Sequence, residues 1–594
     1  MSNKSKMKLE LTWIGKENFP KLEPRILVED PIRSYHASHK VTENDIFDNR
    51  LIFGDNLLAL KALEHEFTGK IKCVYIDPPF NTGGAFEHYD DGLEHSIWLD
   101  LMAKRFQVLK NLLSNNGAIF VNLDDSEMAY CKVVMDEIFG RQNYVATIVV
   151  EAATGSSFKT VNTGPTEVAQ YILFYAKDKR AFEYIPQFIV KPSVDLQHFS
   201  RFIVNFESPC NEWIFKSIND HILETLGYKE GTIQARWNAI KSDLGDSAKS
   251  IVEERATSFA IENSFRVFET KTLQKPSPFL REKLAYSKNV DFPVHVERSN
   301  YSDLYLYKGR QIYFLENSVK EVDGVKGTAL PVSTIWNDIP TNNLQKEGSV
   351  SFPSGKKPEM LIKRILSMAT NKGDLVLDSF GGSGTTGAVA QKMGRKWIMI
   401  ELGEHCHTHI IPRLKNVING EDPAGVSRIL NWKGGGGFRY YRLAPSLLQQ
   451  DRWGRWVISK DYDATMLAEA ICKLEGFSYL PSDTEWWNHG YSTEQDHIYV
   501  TTQTLAFEQL QVLSEEVGED RTLLVCCSAF RCKADRFQNL TLKKIPKMVL
   551  SRCEWGHDDY SLNVENLSMK EELEVDSPGI QRQAGLFDDE GTQG

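Results

Sequence analysis

The chain has 594 residues, 41% hydrophobic and 25% charged, with a formal net charge of −11. That length predicts two to four domains, and the composition is that of an ordinary globular protein. The net acidity argues against indiscriminate coating of nucleic acid, yet it leaves room for a local basic cleft that neutralises phosphates. No apolar run approaches the length that spans a bilayer, and Met1 to Phe19 lacks the apolar stretch of a signal peptide. Nine cysteines at irregular spacing do not compose a disulfide framework. The expectation is a cytoplasmic protein with no membrane partner.

Residues 1–50 carry little pattern and are expected to form an N-terminal extension. A strand is predicted at Arg50-Leu51-Ile52-Phe53, a turn at Gly54-Asp55-Asn56, and a helix burying Leu57, Leu60, Ala62 and Leu63. A second strand, Lys70 to Ile76, stops at Asp77-Pro78-Pro79-Phe80, where two prolines end any ladder. Strand–helix–strand is the unit of a parallel α/β sheet, whose ligands sit at the carboxyl ends of the strands. Asp55 and Asp77 both lie at such ends. The stiff Asp77 loop suits a planar base with an exocyclic amine: Asp77 and the Pro78 carbonyl can accept the amine hydrogens, and Phe80 can stack on the ring. A simple strand-ending Asp-Pro turn is the plainer alternative.

The pattern Trp98, Leu101, Met102, Phe106, Leu109, Leu113 is helical, and Asn115-Asn116-Gly117 is expected to end it. Ala118 to Leu123 reads as a buried strand ending at Asp124-Asp125, with Ser126 capping a helix that runs to Gly140. Gln170 to Tyr175 is a further strand. From about 186 to 330 the α/β rhythm breaks into loops, prolines and interleaved basic and aromatic residues, as in 271–283 and 301–314. A helix there is expected to carry Ile214, Ile218, Ile222 and Leu226 on its apolar side. Such interleaving suits DNA contact and equally suits a half-buried surface strand.

The α/β rhythm returns at Lys357, with Pro358 suited to the first turn of a helix. A strand ending at Asp378 leads into Ser379-Phe380-Gly381-Gly382-Ser383-Gly384-Thr385-Thr386, then a helix, then a strand ending at Glu401. Glycines there allow close approach of backbone to ligand, and an acid ending the next strand can take both hydroxyls of a ribose. Nucleotide, dinucleotide and adenosyl cofactors all use that arrangement. Gly434 to Gly437 reads as a flexible linker to a small α/β domain over 438–562, and 563–594 reads as an acidic tail. Cys526, Cys527, Cys532, Cys553 and His557 have poor spacing for zinc, and no metal is expected.

Taken together, Leu51 to Leu57, Tyr75 to Gly83 and Asp378 to Thr386 resemble the β-class amino-methylating DNA methyltransferases. The closest resemblance is to the modification subunit of type III restriction systems. It covers roughly 40–180 and 335–415, and Phe80 stands where tyrosine is commoner. It implies a Rossmann-like methyltransferase core with a largely parallel, doubly wound sheet, in halves 51–185 and 331–432. A target-recognition domain would be inserted at 186–330. S-adenosylmethionine would lie over Asp378, Phe380, Gly382, Gly384 and Thr385, with Glu401 on the ribose, Asp55 near the adenosine end and Lys357-Pro358 beside the methionine part. Asp77, Pro78, Pro79 and Phe80 would act on the N6 amine of a flipped-out adenine. Cytosine N4, or a silent specificity protein of the same fold, are the alternatives. The partners implied are double-stranded DNA, a restriction/helicase subunit and a second copy in a homodimer. The spacing of Gln583, Leu586 and Phe587 also resembles peptides that insert into a sliding clamp, unless that pair docks back onto its own domain.

Overall fold

The computed structural model describes residues 11–13, 15–17, 20–79, 91–152, 168–299, 301–341, 344–352, 355–550, 552–558 and 560. Phe80 and the segment Gln583 to Phe587 lie outside the described residues.

An 11-stranded sheet forms the centre. Its strands, in chain order, are β1 (Leu27–Glu29), β2 (Tyr35–His36), β3 (Asn49–Phe53), β4 (Ile71–Ile76), β5 (Leu113–Leu123), β6 (Tyr144–Glu151), β7 (Ala169–Ala176), β8 (Ile335–Trp336), β9 (Leu375–Asp378), β10 (Lys396–Glu401) and β11 (Gly437–Leu443). In space they run β1-β11-β3-β10-β9-β4-β5-β7-β6-β8, with β2 also on β11. From β11 to β5 every pairing is parallel, and β7 runs antiparallel to both β5 and β6.

Helices cover both faces, which is why the parallel strands are apolar on both sides. One core packs α1 (Asn56–Phe67), α2 (Asp91–Leu112) and α3 (Asp125–Met135) through Leu57, Leu60, Trp98, Phe106 and Cys131. The other packs α4 (Glu359–Ala369), α5 (Thr385–Lys392) and α6 (Ile411–Asn419) through Leu361, Ile365, Val389 and Leu414. The chain leaves β9 through α5 to β10 on one side, and leaves β4 through α2 to β5 on the other. The winding therefore reverses between β9 and β4, and a crevice opens there at the carboxyl ends. Asp378 and Asp77 flank it.

Several expected boundaries move. Asn115 to Gly117 do not end a helix: α2 stops at Leu112 and β5 already begins at Leu113, carrying those residues within the strand. Asp124, not Ser126, is the N-cap of α3, and the Ser126 hydroxyl donates to it at 2.5 Å. Ile214 lies outside the helix Ile218–Thr225 and is exposed. Pro358 precedes the first turn of α4 as its N-cap.

The glycines at 434–437 are not a flexible linker. Gly434, Gly435 and Gly436 are buried with φ of +95°, +109° and +77°. A Cβ on Gly434 would sit 2.6 Å from the Ile418 carbonyl, and one on Gly436 2.5 Å from that of Ile46. Close backbone approach, rather than looseness, calls for glycine here. Gly437 then opens β11 inside the central sheet, so the core continues to Leu443, past the boundary expected at 438. Part of the N-terminal extension joins it as β1 and β2.

Between β7 and β8 the chain forms a six-stranded and a three-stranded sheet, and among the described residues the strands of each pair only with one another. After the core comes a separate five-stranded sheet spanning Ser478 to Lys544. Cys526 and Cys527 lie buried in its strand Thr522–Cys527.

Candidate active site

The loop from β9 into α5 is held by its own side chains. The Asp378 carboxylate accepts the Phe380 amide (2.9 Å) through Oδ1 and the Thr386 hydroxyl (2.5 Å) through Oδ2. Burial nevertheless pushes Asp378 up to about 8, against the pull of those two donors, with the Asp77 and Glu401 charges adding to the rise. Gly382 and Gly384 take left-handed φ of +52° and +76°. A Cβ on Gly384 would stand 3.0 Å from Ile410 Cγ2. Thr385 is anchored from behind, since its hydroxyl accepts Arg413 Nη1 (2.7 Å) and donates to the Lys357 carbonyl (3.3 Å). Arg413 also donates to Glu359 (2.8 Å), which pairs with Lys392 (2.7 Å), all fully buried. Buried charges of this kind hold a geometry more than they add stability.

At the end of β10, Glu401 Oε2 accepts the Gly382 amide (2.7 Å) and Oε1 accepts the Gly403 amide (2.8 Å). His405 Nε2 lies 3.0 Å from Oε1, and that contact raises the imidazole above its ordinary value. The expected pairing of glycine turn and acid is therefore present as one unit. Ser379 supplies a further polar group: its hydroxyl is buried and has no hydrogen-bond partner among the described residues. Left-handed glycines, a carboxylate at the mouth and an unpaired hydroxyl fit an adenosyl cofactor.

Across the crevice, Asp77 ends β4. Asn122 Nδ2 donates to its Oδ1 (3.0 Å), and Lys357 Nζ lies 3.1 Å from the same oxygen. Gln170 on β7 ties the two together, accepting Asn122 Nδ2 (3.1 Å) and Lys357 Nζ (3.1 Å). Burial raises Asp77 above the usual carboxylate range, while Lys357 and Asn122 pull it down. The side chain still keeps 20% of its surface exposed. The loop behind it is pinned, for Trp98 Nε1 donates to the Pro79 carbonyl at 2.9 Å. No described residue donates to the Pro78 carbonyl. Asn122 and Gln170 were not singled out from the sequence, though Asn122 interrupts the apolar run from Ala118 to Leu123 and Gln170 is the one amide side chain of β7.

Asp55 stands apart from this pair. It is 1% exposed and caps α1, with Oδ1 accepting the Leu58 amide at 3.0 Å. Oδ2 accepts the Tyr560 amide (3.0 Å) and faces Arg105 Nη2 (3.5 Å). The neighbouring Asn56 side chain donates to the Ser379 carbonyl (2.8 Å). Asp55 thus braces the crevice from behind, with its carboxylate occupied by protein. On the inserted region, Phe279, Tyr286 and Tyr301 are exposed, with Lys283 over Phe279 (5.7 Å) and Arg298 over Tyr301 (5.2 Å).

A doubly wound sheet with a glycine turn and a proline-locked carboxylate on either side of its switch point is the arrangement of a Rossmann-like methyltransferase core. Residues 71–412 match the DNA methylase family, and the chain belongs to that family. Among its relatives is a Haemophilus influenzae protein named "Probable type III restriction-modification enzyme HindVI Mod subunit". It is 33% identical over 411 residues, which are 67% of this chain and 54% of the relative. The type III restriction-modification enzyme EcoPI Mod subunit of Escherichia phage P1 is 25% identical, over 66% of this chain and 62% of its own length. The type II methyltransferase M.BamHI of Bacillus amyloliquefaciens is 42% identical over 102 residues, 16% of this chain and 23% of the relative. The chain thus spans little more than half the length of the first of these.

Proposed function

We propose that this chain methylates the N6 amine of a flipped-out adenine in double-stranded DNA, with S-adenosylmethionine as donor, as the modification component of a restriction-modification system. The carrying observation is Asp77: a carboxylate at the switch point with both described contacts on Oδ1, across the crevice from the glycine turn and Glu401. Membership of the DNA methylase family and similarity to Mod subunits support the reading.

When bound, the cofactor supplies an electrophilic methyl on a sulfonium. The chain's own residues do the rest. Glu401, now closed on the Gly382 and Gly403 amides, is the group that takes the ribose hydroxyls. Asp378 and Thr386 keep the turn in shape. An exocyclic amine is a poor nucleophile because its lone pair is delocalised into the ring. Hydrogen bonds from the amine to Asp77 Oδ2 and the Pro78 carbonyl favour a pyramidal nitrogen and offset the charge that develops on it. Trp98, by fixing the Pro79 carbonyl, holds that acceptor pair in one orientation. A base inside a duplex cannot reach this crevice, so it must flip out, with Phe80 as the stacking partner.

The inserted region 186–330 is assigned to target recognition, supported by its exposed aromatic and basic residues. The core halves at 51–185 and 331–443, the C-terminal α/β domain and the tail complete the division of labour. The partners in this reading are DNA, a restriction/helicase subunit and a second copy of the chain, in the cytoplasm. The clamp peptide at Gln583 to Phe587 is the least supported of these partners. Mass analysis of nucleosides from DNA incubated with the protein and labelled donor tests the central claim: N6-methyladenine is expected. N4-methylcytosine would move the reading to the other amine, and unlabelled DNA would end it.

A further inference from the structure

In the methyl-transfer reading, the tetrapeptide supplies the acceptor and the glycine turn the donor site, and Lys357 is grouped with the cofactor. The geometry of Lys357 disagrees with that grouping. Its ammonium, with the side chain only 10% exposed, lies 3.1 Å from Asp77 Oδ1 and 3.1 Å from Gln170 Oε1. What Lys357 presents to the glycine turn is its backbone carbonyl, which accepts the Thr385 hydroxyl. Asn122 reaches the same two oxygens from β5.

A fully buried asparagine from β5 and an ammonium from the start of α4 thus converge on one carboxylate oxygen, and a glutamine from the antiparallel strand accepts from both of them. A strand-ending aspartate that merely shaped a turn would cap its own loop amides, as Asp378 does. Asp77 instead has its Oδ1 held from two elements distant in sequence, which a third, β7, ties together. We propose that Lys357 is a positioning residue for methyl transfer, holding Asp77 ionised and by Oδ1 so that Oδ2 remains to accept the amine hydrogen. The proposal rests on the assignment of Asp77 to the target amine made above.

The charges around Asp77 define the direction of the effect. Asp378, at the end of β9, and the buried Tyr75 hydroxyl, on the same strand as Asp77, both feel its negative charge. Neither helps it ionise. Lys357 is the cation that opposes burial there, aided by Asn122. An opposite charge in contact lowers a carboxyl by about 1–3 pH units, so removing it lets Asp77 protonate at a higher pH. A protonated Asp77 cannot accept from an amine as a carboxylate does.

The test is the pH profile of single-turnover methyl transfer in the full chain, with cofactor affinity measured alongside by calorimetry. Lys357→Met should move the acidic limb up by about 1–3 pH units, and Lys357→Arg should bring it most of the way back. Gln170→Glu keeps the lysine but adds a competing anion, and should move the limb in the same direction by less. It also serves should the methionine variant fail to fold. An acidic limb that stays in place in Lys357→Met, or in Gln170→Glu where the methionine variant does not fold, overturns the proposal. So does a Lys357→Met variant whose only loss is cofactor affinity, which would return Lys357 to the cofactor. A wild-type chain that transfers no methyl group sinks the underlying reading, and the proposal with it.

Discussion

Two aspartates end adjacent strands on either side of the switch point, and they are used in opposite ways. Asp378 spends both oxygens on its own loop, on the Phe380 amide and the Thr386 hydroxyl, and is 2% exposed. Asp77 is gripped by one oxygen, through side chains from β5 and the start of α4, and keeps a fifth of its surface open. Residue type and topological place are the same. Where the donors come from differs: local donors make a brace, and distant ones leave a carboxylate presented to the crevice. Asp55 extends the comparison, since local capping and the Tyr560 amide consume its carboxylate as well.

The sharpest way to break the comparison is Asp77→Ala. It should lower the methyl-transfer rate by about a thousandfold or more with cofactor affinity within about tenfold of wild type, because the lost contact belongs to the transition state. It should also lower the melting temperature, because Lys357 loses its carboxylate partner. Near-normal turnover would make Asp77 another brace.

The mirror experiment is Asp378→Asn. Its amide presents the same donor and acceptor as the protonated acid, with the Thr386 hydroxyl turning to accept, so the cost below about pH 8 should be no more than about 1 kcal/mol in denaturant titrations. The pH dependence should change too. Asp378 is pushed up to about 8 in the folded chain, so the fold holds its proton more tightly than the unfolded chain does. Its contribution is therefore present at low pH and lost as pH climbs from the ordinary carboxylate range through about 8. The asparagine variant should lack that decline. An unchanged slope would assign the pH dependence to another group.

Glu401→Gln separates the two sides by ligand. Loss of a charge-assisted acceptor pair should weaken cofactor binding by about 1–3 kcal/mol in calorimetry, with DNA affinity unmoved. Equal affinity for the two proteins would move the ribose contact elsewhere. The last variant is Asp55→Asn. Asparagine caps a helix about as well as aspartate, so what is lost is on the Oδ2 side, where its amide nitrogen cannot accept from the part-buried Tyr560 amide or from Arg105. A stability change of about 0.5–1.5 kcal/mol in thermal unfolding fits a brace, and a collapse of the fold would show a larger role for the Tyr560 contact.

The apolar runs at 71–76, 375–378 and 396–401 can bury both faces only in a parallel sheet under two layers of helix. The fold class, and the order of its catalytic and cofactor motifs, were for that reason legible from the chain alone. Proline at 78 and 79 ends β4 wherever the strand lies, so Asp77 could be marked as a strand-end carboxylate in advance. Glycines 434–437 misled because glycine serves loose chain and tight backbone contact equally well, and only the Ile418 and Ile46 carbonyls show which is meant. Asn122, Gln170 and Lys357 meet in one hydrogen-bonded group although Gln170 and Lys357 alone are 187 residues apart in the chain. Local pattern registers neighbours three or four positions apart on a helix and two on a strand, so it carries no term for such a meeting. The sequence by itself determined which strand ends carry acids. Which of those acids is braced and which is left open was decided by the sheet order, because that order alone brings β5, β7 and the start of α4 to the end of β4.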